Sequence, residues 1–304
     1  MAKNPKIFVI IVTYKGHQWY DRCFTSLRES SIPVHTIVVD NASNDGTVKY
    51  IREHFPEIHL IESNENLGFG RANNLGMRYA LDNGCDYVFL LNQDAWLDNV
   101  DTLKNLVEIY EQRPEYGILS PMHLNINKDG LVMEYFCRRP DNKKLIEDLY
   151  LNQLTDVYDT KYIHAAAWML SRNTLEAVGG FNPIFQHYEE DGEYLNRVNY
   201  YKLKIGVCPS ARIVHDHQSK TFTGDKALLR HNQLKIVDYI DLNKSFSASA
   251  YLRYYVRKWI LCICRGNLSQ AKQYAHDIKF LYRRRLEFKK VRQDSMIAGP
   301  KWLM

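Results

Sequence analysis

No stretch of this 304-residue sequence approaches the roughly eighteen consecutive apolar residues that a bilayer-spanning helix needs, so nothing in it reads as a membrane span. The apolar run nearest the start, Ile7 to Val12, is too short for the core of a signal peptide, and the expectation is a protein kept in the cytoplasm. The six cysteines (Cys23, Cys85, Cys137, Cys208, Cys262, Cys264) include no CxxC pair and no zinc-site or disulfide spacing, which leaves free thiols in a reducing compartment. No GxGxxG follows the first apolar run, so the dinucleotide fingerprint is missing. Internal repeats and low-complexity tracts are also absent, which excludes solenoids and collagen-like chains.

What is present is a globular composition, 45% hydrophobic, with an unevenly divided charge. The net +5 hides a body, residues 1–250, with 27 Lys/Arg against 32 Asp/Glu, and a segment, 251–292, with 12 Lys/Arg against only Asp277 and Glu287. The basic segment therefore has a different partner or neighbour from the body.

Strand-like runs alternate with helical patterns through the first 120 residues. Ile7–Thr13, Val34–Asp40, Ile58–Glu62 and Tyr87–Leu91 read as strands. Between and after them, Tyr20/Cys23/Phe24/Leu27, Val48/Ile51/Phe55, Ala72/Leu75/Gly76/Tyr79 and Leu103/Leu106/Val107/Tyr110 fall at helical spacing. Such alternation implies right-handed crossovers and a mostly parallel sheet flanked by helices, an α/β class. Residues 122–160 read as irregular and polar, with turns at Lys128-Asp129-Gly130 and Arg138-Arg139-Pro140-Asp141-Asn142. A strand at Ala165–Leu170, an acidic helix from about Glu189, and short strands Ile205–Cys208 and Arg212–His215 close the core. Beyond residue 250 the pattern is helical: Leu252, Tyr255, Val256, Trp259, Ile260 and Ile263 form one apolar face, and Asn267 with Gln270 suits the cap of a second helix. The expected division is 1–220 for an α/β domain and 221–304 for a basic helical extension.

The polar ends of the strands carry the chemistry. Strand one ends in Thr13-Tyr14, strand two in Asp40-Asn41 and strand four in Asn92-Gln93-Asp94. Open α/β sheets bind ligands at the carboxyl ends of their strands. Asp40 suits a pyrimidine N3–H or a ribose hydroxyl, and Asp94 suits a hard divalent cation carrying phosphate oxygens. Asn and Asp are also ordinary turn formers, so each taken singly leaves both readings open. In Asn66-Leu67-Gly68-Phe69-Gly70-Arg71, the glycines allow close backbone approach, and Arg71 at a helix start can bond two phosphate oxygens. The run Glu189-Glu190-Asp191-Gly192-Glu193 crowds four carboxylates, which raises proton affinity and suits a general base. His215, at a strand end, completes a carboxylate–imidazole set for Mn²⁺ if Asp94 needs a second ligand.

Together these residues resemble the inverting glycosyltransferases of family 2, of GT-A fold. The matching segments are Val9–Tyr14, Val38–Thr47, Asn66–Asn74, Leu90–Asp94, Gly179-Gly180-Phe181-Asn182 and Glu190–Glu193, in the family's order across residues 7–220. The resemblance implies that Thr13, Tyr14 and Asp40 hold the nucleoside and that Asn66 and Arg71 contact the donor's nucleotide. It makes Asn92 a donor-side hydrogen-bonding group and assigns Asp94 and His215 to a divalent metal, Mn²⁺ or Mg²⁺. It makes 1–220 the nucleotide-sugar-binding and catalytic domain and Asp191 the catalytic base, with Glu190 a candidate substrate contact. Trp168 is either a sugar-stacking face or, the favoured reading for a strand tryptophan, a buried core residue. Asn92 stands where many members carry Asp, and His164-Ala165-Ala166-Ala167 replaces a frequent Gly-Ala pair. The basic helical region is similar to that of rhamnosyltransferase-like bacterial members, which implies a nucleoside-diphosphate sugar donor (dTDP- or UDP-linked), a saccharide or lipid-linked acceptor and polysaccharide biosynthesis. It also implies a peripheral contact with an anionic membrane surface, for which a homodimer contact is the alternative.

Two rivals differ in class. A sugar-phosphate nucleotidyltransferase wants a Gly-rich, Arg/Lys-bearing loop directly after strand one, where this chain has Thr13-Tyr14-Lys15-Gly16-His17. A non-enzymatic nucleotide or nucleic-acid binder would use the basic segment; the acidic body favours an enzyme with no nucleic-acid partner.

Overall fold

The computed structural model describes residues 5–132, 143–217, 223–245 and 247–303. Cys137 and the turn expected at 138–142 lie outside the described residues. The first half alternates as the sequence implies: β1 (Ile7–Thr13), α1 (His17–Arg28), β2 (Val34–Asp40), α2 (Thr47–His54), β3 (His59–Glu62), α3 (Gly68–Asp82) and β4 (Tyr87–Asn92). There follow β5 (Ala95–Leu97), α4 (Thr102–Gln112), β6 (Tyr116–Leu124), α5 (Lys143–Leu151), β7 (Tyr158–Asp159), β8 (Ala167–Ser171), α6 (Arg172–Val178), α7 (Glu190–Tyr200) and β9 (Lys204–His215). Three helices complete the described chain: α8 (Gly224–Ile240), α9 (Ala248–Cys264) and α10 (Leu268–Ser295).

One sheet orders the strands β3-β2-β1-β4-β8-β6-β9-β5, with β7 on β9. The β3-β2-β1-β4 half is parallel, as crossover helices require. Beyond β4 the sheet is mixed: β8 runs antiparallel to β4 and β6, β6 is parallel to β9, and β5 and β7 run antiparallel to β9. The expectation of a mostly parallel sheet thus holds for the β3-β2-β1-β4 half alone, because β8 enters from a long excursion instead of a crossover helix.

Alternation along the strands divides the core in two, since successive side chains point to opposite faces. Phe8, Ile10, Ile37, Val39, Val88, Leu90, Trp168 and Leu170 face α3, α6 and α7. Ile7, Val9, Ile11, Val38, Phe89, Leu91, Ala167 and Met169 face α1, α2 and α4. A third, smaller cluster joins α8, α9 and α10 through Ile236, Tyr239, Tyr255, Leu281 and Phe288, with Phe185 of the body inside it.

Several elements differ from expectation. Within the stretch 122–160 that the composition suggested was irregular, 122–124 finish a buried strand that starts at Tyr116, and 143–151 form a helix. The two short strands at 205–208 and 212–215 are one strand whose register against β6 breaks between Pro121 and Met122, a bulge that proline's missing N–H favours. The α10 cap is as expected: the Asn267 side chain accepts from Gln270 N at 3.1 Å. The apolar row of α9 is only half covered. Tyr255 is buried, whereas Val256, Ile260 and Ile263 are exposed.

Candidate functional site

The ends of β1 and β2 are joined at the rim. Thr13 lies opposite Asp40 in the register, and its Oγ1 donates to Asp40 Oδ1 at 3.0 Å. Ser43 N donates to Asp40 Oδ2 at 2.8 Å. An ionised carboxylate has about four acceptor positions, so Asp40 is fixed in place with acceptor capacity left over. Tyr14 beside it is exposed. Its backbone is clamped by the Gln93 side chain, which accepts from Tyr14 N at 2.9 Å and donates to Tyr14 O at 3.2 Å. Gln93 thus has a structural task of its own between Asn92 and Asp94. It ties the β4 end to the β1 end, a role that no hydrophobic pattern signals.

Asn41 carries the rim to the next loop, accepting from Leu67 N at 3.2 Å and donating to Gly68 O at 3.3 Å. Asn66 Oδ1 accepts from Gly68 N at 2.9 Å and so shapes the start of α3. Gly68 has φ +77° and packs against the Gln186 carbonyl, where a Cβ has no room. Arg71 is exposed, with Nε donating to Leu67 O at 3.1 Å. Further along α3, Asn74 accepts from Phe181 N at 2.7 Å and donates to Phe181 O at 2.8 Å. The loop expected to meet the donor is thereby fastened to the Gly-Gly-Phe-Asn turn.

Asp94 and His215 do come together, because Ala95 pairs with His215 in the β5–β9 ladder and Asp216 N donates to Asp94 O at 2.9 Å. His215 Nε2 lies 3.4 Å from Asp94 Oδ1. Asn92 holds the adjacent strand end, its N–H donating to Ala166 O at 2.9 Å. Three more imidazoles surround His215, with ring centres 6.0 Å (His123), 6.3 Å (His164) and 5.4 Å (His217) away. Burial, reinforced by the neighbouring imidazoles, pushes His164 down to about 3 and holds His123 well below the usual histidine range. Both are therefore neutral at physiological pH. A lone histidine carries no signal in a sequence, and this cluster was not foreseen.

The acidic run sorts into pairs. Glu189 bonds Arg230 of α8 at 3.0 Å, and buried Glu193 bonds Arg197 one turn later at 2.9 Å. Burial raises the Glu193 carboxyl while Arg197 opposes the shift. Glu190 and Asp191 remain for chemistry. Glu190 is 7% exposed, and its Oε2 has no hydrogen-bond partner among the described residues. Burial, with the Asp191 charge adding to it, pushes its carboxyl up to about 8. Asp191 is half-buried and accepts from Gly192 N at 2.8 Å and, more loosely, from Tyr162 OH at 3.4 Å. Burial raises its carboxyl as well. The approach to this helix is strained: Tyr188 and Glu189 both have left-handed backbones, φ 68° and 67°, a conformation of order 1–3 kcal/mol each that clusters at functional sites.

Two links draw the parts into one site. Tyr162 reaches Asp191 while His164, two residues on, lies beside His215, so one short segment spans the acidic helix and the Asp94–His215 pair. On the other side, a Cβ on Gly70 would stand 3.8 Å from Glu190 Cβ, which brings the start of α3 against the start of α7. Trp168 does not belong to the site. It is wholly buried on β8, stacked with Phe181 at 6.1 Å and beside Tyr194, so of the two readings open for it the core one holds and Trp168 is no substrate contact.

Asp94 and His215 fit a divalent cation that takes its remaining ligands from phosphate and water. The pair combines a carboxylate and an imidazole within one ion's reach, and among the described residues no larger cluster of metal-ligating side chains competes. Among the described residues no helix is long and apolar enough to cross a membrane.

Residues 8–179 match the family model described as glycosyl transferase family 2. The chain is 27% identical over 213 residues to the low-salt glycan biosynthesis hexosyltransferase Agl10 of Haloferax volcanii, a match spanning 68% of this chain and 66% of that protein. It is 26% identical to the dTDP-rhamnosyl transferase RfbF of Shigella flexneri, over 70% of this chain and 69% of the relative. It is also 26% identical to the N-acetylglucosaminyl-diphospho-decaprenol L-rhamnosyltransferase of Mycobacterium tuberculosis, over 70% and 76%. The matched region thus spans about two thirds of the length of the first two relatives. Among solved structures, the mannosyltransferase PcManGT of Pyrobaculum calidifontis, in complex with GDP-Man and Mn²⁺, superposes with a TM-score of 0.56 at 21% identity, covering 79% of this chain and 63% of that one. That likeness supports the GT-A architecture.

Proposed function

The chain belongs to glycosyl transferase family 2, and from that premise we propose that it moves a hexosyl group, rhamnose being the favoured sugar, from a nucleoside-diphosphate sugar to an acceptor hydroxyl with inversion. The observation that carries the reading is the convergence of Asp191 with Asp94 and His215 through the Tyr162–His164 segment. Thr13, Tyr14 and Asp40 hold the nucleoside, and Asn66, Arg71 and Asn92 line its path toward the diphosphate. Asp94 and His215 hold Mn²⁺ or Mg²⁺, which when bound supplies positive charge to offset that of the departing diphosphate. Asp191, half-buried, takes the acceptor hydroxyl's proton as that oxygen attacks the anomeric carbon. The new C–O bond forms on one face while the bond to the diphosphate breaks on the other. Glu190 keeps its proton near neutral pH and donates a hydrogen bond to substrate. Asp191→Asn is expected to abolish transfer while nucleotide binding stays within twofold by calorimetry; an active variant removes Asp191 as the base.

A lipid-linked acceptor is favoured, supported by the relative named for a diphospho-decaprenol substrate and by the outward surface of α9. From Ala248 to His276 there is no Asp or Glu, and Tyr254, Ile260, Leu261, Ile263 and Leu268 are exposed beside Arg253, Arg257 and Arg265. Near an anionic leaflet each such cation contributes roughly 1 kcal/mol, with the apolar groups entering the headgroup boundary. The protein therefore works at the cytoplasmic membrane surface. Flotation with vesicles of phosphatidylglycerol and phosphatidylcholine is expected to carry the protein up; Ile260→Glu with Leu261→Glu should leave it at the bottom. Equal flotation of both proteins sinks this reading, and a dimer in solution dissociated by the same pair assigns the face to a second copy.

A further inference from the structure

The segment that follows α10 turns back onto the catalytic body. Tyr201 OH donates to Ser295 O at 2.8 Å, Gly299 N donates to Ala177 O at 3.1 Å, and Gly180 N donates to Lys301 O at 2.8 Å. Arg78 Nη1 of α3 donates to Leu303 O at 2.9 Å, and Leu303 itself is buried in the same core cluster as Phe181 and Tyr194. The strap 299–303 lies so close to the Gly-Gly-Phe-Asn turn that side chains are excluded there. A Cβ on Gly179 would stand 2.7 Å from Lys301 O, and one on Gly180 2.7 Å from a Leu303 methyl.

Between the strap and the acidic helix sits Arg197, 1% exposed. Its guanidinium donates to Val178 O at 2.5 Å, to Gly180 O at 2.7 Å and to both Glu193 oxygens at 2.9 and 3.0 Å. The Trp302 ring centre is 4.7 Å from the guanidinium carbon, and Tyr194 supplies a second ring at 4.8 Å. A cation desolvated against aromatic faces is attracted to them, and the hydrogen bonds it makes depend on water staying out. Trp302 thus covers the group that locks α7, two residues after Asp191, to the turn at 178–180.

We propose that the strap, through Trp302, is a positioning element for the acidic helix: it keeps Arg197 dry, and Arg197 keeps the first turn of α7 aimed at the acceptor. The proposal rests on the reading of Asp191 as base. Displacing a reacting group by about 1 Å costs on the order of 10²-fold in rate, so a strap that merely loosens is felt in turnover before donor binding. The sites built from Thr13, Asp40 and Asp94 have no contact with 299–303 among the hydrogen bonds and ring contacts described.

The experiment compares the full chain with Trp302→Ala, Trp302→Phe and a deletion of 299–304. Expected are a kcat at least tenfold lower in Trp302→Ala and in the deletion with donor KM within twofold, faster amide exchange confined to residues 178–197, and recovery in Trp302→Phe, which keeps a ring over the guanidinium. Unchanged kcat and exchange in Trp302→Ala, or a Trp302→Phe variant no better than Trp302→Ala, overturns the proposal. If Trp302→Ala does not fold, Trp302→Phe against Trp302→Leu decides on the same readouts. Exchange is read without turnover. An active Asp191→Asn therefore fails the base assignment alone, while slow exchange at 178–197 in Trp302→Ala fails the strap alone.

Discussion

Replacing Glu190 with Gln removes a carboxyl that burial, and then the Asp191 charge, pushes from its ordinary 4.5 up to about 8. The sign follows from proton counting. Between those values the folded protein keeps a proton that the unfolded chain has released, so stability falls as pH rises through the window and the loss is complete above about 8. A span of about 3.5 in pH at ~1.36 kcal/mol each sets a ceiling of roughly 5 kcal/mol. Water beside half-buried Asp191 screens part of it, and about 2–3 kcal/mol is the expected effect. In urea titrations from pH 5 to 8.5, the variant should therefore gain on the parent by that amount as pH rises, because the amide cannot ionise. Gln also offers an N–H, so transfer at pH 7 should fall less than fivefold if Glu190 serves as a protonated hydrogen-bond donor. Stability curves that stay parallel within about 0.5 kcal/mol across the range refute the argument, since Glu190 would then ionise as easily folded as unfolded.

Asp94→Asn leaves His215 without its carboxylate partner and should weaken Mn²⁺ binding in the presence of nucleoside diphosphate by at least tenfold in calorimetry; undiminished affinity moves the metal elsewhere. Gln93→Ala deletes both bonds to the Tyr14 backbone, at about 1 kcal/mol each, and opens space over Gly16, so a loss of about 1–2 kcal/mol in urea denaturation is expected together with weaker nucleotide binding. A Gln93→Ala protein as stable and as tight as the parent shows that the clamp is incidental.

Much of this was legible beforehand, and the reason is physical. β1, β2 and β4 are apolar runs ending in polar residues because most of their length is buried on both faces and their carboxyl ends open to the site. That placed Thr13, Asp40 and Asp94 on one rim. The pairing of Asp94 with His215 rested on imidazole–carboxylate chemistry and on the family resemblance, since ladder register between β5 and β9 leaves no trace in composition. β6 went unseen because Gly117 and Pro121 interrupt its pattern, and proline there marks a bulge instead of an end. Trp168 stayed open between two readings because an indole reads alike in a core and in a sugar site; the packing of Phe181 and Tyr194 against it decides for the core. Periodicity flagged the apolar row of α9 but not that half of it stays uncovered.

The acidic run teaches a narrower point about charge crowding. Four carboxylates in five residues suggest mutual repulsion relieved by a cation, yet Arg230 and Arg197 take Glu189 and Glu193 from opposite ends of the run. The two that remain differ in environment: Glu190 is sealed and without a partner on Oε2, whereas Asp191 reaches solvent and has the Gly192 N–H to stabilise its ionised form. Burial raises both and pushes Glu190 up to about 8, so near neutral pH Glu190 holds its proton, while at Asp191 the Gly192 N–H and the Tyr162 hydroxyl oppose the upward push. What separates the inner two is their own surroundings: burial with no partner on Oε2 for Glu190, and hydrogen bonds from Gly192 N and Tyr162 OH to the carboxylate of Asp191. Arg197, which takes Glu193 out of the run, itself lies under Trp302, so the pairing at the far end of the acidic run is covered by a residue more than a hundred positions away.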